Sequence, residues 1–138
     1  FKAYIKELEI NPLERVGVRV FYLYEVESSF EDLNELMITK LFSFLPPDVK
    51  ATDMAYVLNF DEGGHHYHLA IGPVTERESR ERLDIKEGEF PEVSVLFDID
   101  IFQNRFSPDG IETFMRNSCR KGKEVVQLFV DHMFGRRS

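Results

Sequence analysis

Apolar and polar residues alternate along EVSVLFDIDIF (92–102), which puts Val93, Val95, Phe97, Ile99 and Ile101 on one face of a strand. Beyond residue 106 the spacing becomes helical. Ile111, Phe114, Met115, Ser118, Gly122, Val125, Val126, Phe129 and Met133 fall on a single stripe. Ser107 is placed to cap this helix, and Pro108 suits its first position, where a missing N–H costs nothing. Asp109 and Glu112 suit the positive end of the helix dipole. A one-faced strand followed by a one-striped helix predicts a helix lying across a sheet. Gly122 interrupts the stripe, and a glycine inside a helix costs ~1 kcal/mol against alanine. Its presence predicts close approach of helix and sheet at that point.

Upstream, residues 1–10 alternate loosely and read as a strand that Asn11-Pro12 breaks. Residues 15–27 form a second strand. Val16, Val18, Val20, Tyr22 and Tyr24 share one face, with Arg15, Gly17, Arg19, Phe21, Leu23 and Glu25 on the other. Two overlapping capping boxes, Ser28 with Glu31 and Ser29 with Asp32, open a helix. Phe30, Leu33, Leu36, Met37, Lys40, Leu41 and Phe44 follow at helical spacing, and Pro46-Pro47 sets the limit. Strands over 53–60 and 67–74 flank Asp61-Glu62-Gly63-Gly64, a hairpin turn whose glycines accept positive φ. Residues 75–89, TERESRERLDIKEGE, read as a solvated loop or short helix. The order β-β-α-β-β-β-α predicts one α+β domain over 1–138. It is a two-layer sandwich: a five-stranded, mainly antiparallel sheet with two helices on one face. The abrupt start at Phe1 and the GRRS end suggest a domain cut from a longer chain.

Composition narrows this reading. Hydrophobic residues are 43% of 138, with 13 Phe and 5 Tyr, which excludes wholesale disorder. A net charge of −8 argues against a general nucleic-acid binder and against adhesion to anionic membranes. Arg116, Arg120, Lys121 and Lys123 still form a local basic patch on the long helix. No stretch has the length or character of a membrane span or signal peptide. Cys119 is the only cysteine, so an intrachain disulfide is excluded and a cytoplasmic setting is expected. With no His or Asp spaced locally to activate it, Cys119 reads as a half-buried small residue.

The candidate chemistry lies on the polar faces of two strands. His66 and His68 project together, as do Asp98 and Asp100 opposite the core residues of their strand. If these strands are neighbours, two imidazoles and two carboxylates share one face, a donor set suited to zinc or another first-row ion. The plainer alternative is a solvated polar face, since Glu92 and Ser94 continue it. Nothing resembles a P-loop, a GxGxxG turn, a nucleophile elbow or HExxH. The expected function is therefore a binding or protein-interaction module without catalytic activity, catalytic residue, cofactor or metal. The alternative is a metal-dependent enzyme with its site at His66, His68, Asp98 and Asp100.

Three short pieces also resemble a known family. They are Arg15-Val-Gly-Val-Arg19, the strand Leu96-Phe-Asp-Ile-Asp-Ile101, and the closing helix Val125-Val-Gln-Leu-Phe-Val-Asp-His-Met-Phe134. They resemble the C-terminal half of a sporadically distributed family of bacterial proteins about 250 residues long, known by a provisional family model. The resemblance spans about residues 10–135 and implies no activity. It does imply an N-terminal half ahead of Phe1. Phe21, Leu23, Leu96 and Phe102 lie opposite the predicted core-facing sets and could make a large apolar patch. Its expected occupant is a second copy of the chain, as a homo-oligomer, or the missing N-terminal domain.

Overall fold

The computed structural model of the chain describes residues 2–11, 15–46, 48–104 and 110–135, with backbone alone at 6–11 and 15. Among these residues five strands form one sheet: β1 (Lys2–Asn11), β2 (Arg15–Glu25), β3 (Tyr56–Glu62), β4 (His65–Thr75) and β5 (Val93–Asn104). Their order across it is β1-β2-β5-β4-β3, and each neighbouring pair is antiparallel. Three helices accompany it: α1 (Phe30–Leu41), α2 (Glu76–Leu83) and α3 (Ile111–Phe134).

The expected α+β sandwich is the fold found, with α1 and α3 together on one face. Val16, Val18, Val20 and Tyr22 of β2, Tyr67, Leu69 and Ile71 of β4, and the Val93–Ile101 series of β5 point to that face. Leu33 and Met37 of α1 and Phe114, Val126, Val130 and Met133 of α3 meet them there. Phe97, fully buried near the middle, takes the ring of Phe129 edge-on at 5.3 Å. Val125 and Phe129 are only partly buried, and Val130 joins the stripe that the sequence pattern left without it. Close approach at Gly122 is found as expected. A Cβ there would stand 3.2 Å from the Tyr22 hydroxyl oxygen and 3.4 Å from its ring. That hydroxyl donates to the Cys119 carbonyl at 2.9 Å, so one tyrosine ties β2 to the backbone of α3.

Local chemistry sets the element ends. Ser29, the second of the two candidate caps, accepts the Asp32 N–H at 3.1 Å. Helix α1 stops at Leu41, short of the prolines, with the Phe42 N–H on the Ile38 carbonyl at 2.8 Å. The cap expected from Ser107, Pro108 and Asp109 lies outside the described residues, and α3 is capped by Gly110 without a side-chain bond. Lys40 Nζ reaches the Met133 carbonyl at 2.5 Å, placing a cation at the negative end of α3. The β3–β4 turn is tighter than expected. Asp61 and Glu62 belong to β3, and Gly63 and Gly64 alone make the turn, at φ +58° and +80°.

One expectation needs correction, and it concerns the second face of the sheet. Of the two readings of the charged segment, the short helix is the one found, as α2, opened by a capping box between Thr75 and Glu78. Its Leu83 joins Phe21, Leu23, Val74 and Leu96 in a second core, with Tyr4, Ile85 and Phe90 packed against it. Arg80 fastens the segment that follows. Its guanidinium lies 4.7 Å from the Phe90 ring centre and donates to the Lys86 and Gly88 carbonyls at 3.3 and 2.6 Å. Phe21, Leu23 and Leu96 are thus covered by their own chain, at 2%, 3% and 3% exposure, and make no exposed patch.

Candidate functional site

The α2 segment covers one end of the second face and leaves the other open. Register determines what the open half displays. His68 lies opposite Asp100, which on its other side lies opposite Arg19. His66 lies opposite Phe102, and Ala70 opposite Asp98. Strands β4 and β5 are neighbours, so the two histidines and two aspartates do share a face. The side chains then divide into separate contacts. Asp98, its side chain 10% exposed, accepts from Arg19 Nε and Nη2 at 2.9 and 2.7 Å. Arg82, reaching over from α2, adds a third bond at 3.3 Å. A carboxylate this buried needs such partners, and the paired Arg19 fork supplies the stronger geometry. Arg19 also lies over the Phe21 ring, 4.9 Å from its centre.

The histidines turn toward β3. His66 Nδ1 lies 2.5 Å from Asp61 Oδ1, and His68 Nδ1 lies 2.6 Å from Asn59 Oδ1. A carboxylate or amide oxygen can only accept, so both Nδ1 atoms carry the proton. The His66 ring stacks on Phe102, with centres 5.0 Å apart. Among the described residues, no three His, Cys, Asp or Glu side chains gather to hold a metal ion. Sequence reasoning found the four acidic and imidazole residues but missed Arg19 and Arg82 as their partners. The alternation put Arg19 on the right face; nothing local tied Arg82 to Asp98.

Elsewhere, burial and pairing shift a few titratable groups. Burial pushes the Cys119 thiol above its ordinary value, the opposite of an activated nucleophile. Burial pushes the Tyr22 phenol up to about 12. The basic patch on α3 is largely matched. Arg116 pairs with Glu112, Arg120 with the Asn117 amide, and Lys121 with Glu62 at 2.9 Å. That last bond holds the lysine ammonium above its ordinary value.

The two edges of the sheet differ. Edge strand β1 carries a register shift between Ile5 and Glu7, and its sequence contains Lys2 and Lys6. Bulges and edge lysines both deter the docking of another strand. Edge strand β3, YVLNFDE, pairs with β4 without a shift and has no lysine or proline. Val57, on the second face, is 54% exposed, and Leu58, on the core side, is 41% exposed. No helix among the described residues is long and apolar enough to cross a membrane. No family model matches the chain, and comparisons with curated proteins and with solved structures find no match.

Proposed function

We propose that this domain is a binding module, without catalytic activity of its own, that accepts an extended segment of a partner protein alongside β3. The observation that carries this reading is the unprotected outer edge of β3, with Val57 and Leu58 exposed and neither bulge, lysine nor proline to deter pairing. A strand added there continues the sheet through main-chain hydrogen bonds, and its alternate side chains meet the two faces. On the second face they find the β3 row of Val57, Asn59 and Asp61, with His66 and His68 one strand further in. The polar groups of that row are already matched in pairs, so little ordering is needed on binding. Asp61 and Glu62 at the end of β3 favour a partner with a basic residue there.

The metal-dependent alternative requires His66, His68, Asp98 and Asp100 to converge. The commitment of Asp98 to two arginines weighs against it. Capture from cells with the wild-type chain and with a Val57→Lys/Leu58→Lys variant tests the proposal. It expects a protein held by the first and lost from the second, while the thermal stability of the variant is nearly unchanged. A protein retained equally by both contradicts it.

A further inference from the structure

A groove of about 830 Å³ lies at the end of the sheet where β2 stops. Two stacked ring pairs frame it, each joining a strand to a different element. On the second face Tyr4 of β1 stacks on Phe90, with ring centres 5.8 Å apart. On the core side Tyr24 of β2 stacks on Phe134 at the end of α3, at 5.3 Å. All four rings line the groove and are only half-buried. Three carboxylates, Glu25, Glu27 and Glu89, line it too, against one ammonium, Lys2. Among the described residues, none of these four charged side chains has an ion-pair or hydrogen-bond partner.

Elsewhere the chain sets the same two kinds of group around a planar cation. Arg19 lies over the Phe21 ring and donates to Asp98; Arg80 lies over Phe90 and donates to Glu76 at 3.0 Å. In both, a ring offers its negative face while a carboxylate takes the N–H groups. The groove brings rings and carboxylates together again, with no arginine among its described lining. From the rings and the unpaired carboxylates together, we infer a second binding site, separate from the β3 edge. Its ligand is a small organic cation, an amidinium or guanidinium on a flat apolar body. The body stacks with the rings, and the N–H groups meet the carboxylates. Three carboxylates against one lysine disfavour an anion. A compact ammonium fits less well, being strongly hydrated and without a flat face.

Benzamidine serves as the probe, having a flat ring and a single amidinium. Two relatives separate its parts: benzamide keeps the shape without the charge, and acetamidine keeps the charge without the ring. In an NMR titration, benzamidine should shift the amides of residues 23–27, 89–90 and 134–135 saturably. Benzamide and acetamidine should each bind about three- to tenfold more weakly, the worth of one ion or ring contact. The variant Glu25→Gln/Glu27→Gln/Glu89→Gln, changed only at exposed positions, should bring benzamidine down to the level of benzamide. Nα-acetylarginine methylamide represents the other source of such a cation, an arginine of a protein. Its aliphatic body should make it bind more weakly than benzamidine. Arginine binding as tightly as benzamidine, equal binding of benzamide or of acetamidine, equal shifts at acidic positions elsewhere, or no saturable shift would overturn the assignment.

Discussion

Tyr22 shows how one side chain can hold two layers together. Its ring packs under Gly122, and its hydroxyl bonds the Cys119 carbonyl. Burial raises its folded-state pKa to about 12 from an ordinary value of 10. The stability this represents is fully present below pH 10 and is lost as pH rises toward 12, because the unfolded chain ionises first. At about 1.4 kcal/mol per unit, the full loss is on the order of 3 kcal/mol. Tyr22→Phe should cost about 1 kcal/mol at pH 8 and flatten the decline between pH 10 and 12. Urea unfolding at several pH values measures this, and equal slopes for both proteins contradict it. Gly122→Val forces a branched side chain against the Tyr22 ring and should destabilise the fold by about 2 kcal/mol or more, read from the same unfolding midpoints. Asp98, His66 and His68 supply a third prediction. With each engaged by a neighbour, the purified protein should contain no stoichiometric metal by elemental analysis. One metal per chain, lost in His66→Ala, would restore the metal-dependent alternative.

Among the elements, α2 depends most on tertiary context. ERESRERL has one large apolar residue, Leu83, so hydrophobic period could not announce it. The available signal was the Thr75–Glu78 capping box, a local device that works before any packing. Its docking rests on Arg82 reaching Asp98 and on Arg80 gripping the Lys86–Gly88 turn. Asp98→Asn leaves two arginines with a weaker acceptor on that face. It should destabilise the protein by about 1–3 kcal/mol, with half-exposed arginines setting the low end. Amide exchange should quicken in α2 more than in α3; uniform quickening would mean that Asp98 is not what fixes α2. The strands were far more legible. Alternation placed β2 and β5 and the face of every core residue on them, because a one-residue slip inverts a strand. Strand order was not legible. β5 inserts between β2 and β4, and no local period records which distant strand a residue will meet.

For the whole molecule, the two faces of the sheet carry different burdens. One is filled by α1 and α3; the other is half closed by α2 and half left as a row of matched polar groups running to β3. The face of His66, His68, Asp98 and Asp100 was legible from alternation alone. Their failure to converge was not, because it depends on Arg19 and Arg82 taking Asp98 and on β3 supplying Asn59 and Asp61 to the histidines. The contrast between the bulged β1 edge and the unprotected β3 edge then gives the domain a direction for growth. The most direct test of that claim places a photo-reactive side chain at Val57 and, separately, at Ile5, which is equally exposed at 54% on the other edge. Irradiation in cells should join the chain to a discrete protein from position 57, a second copy or another chain, with no matching product from position 5. Products from position 5 alone, or the same products from both, would contradict the account.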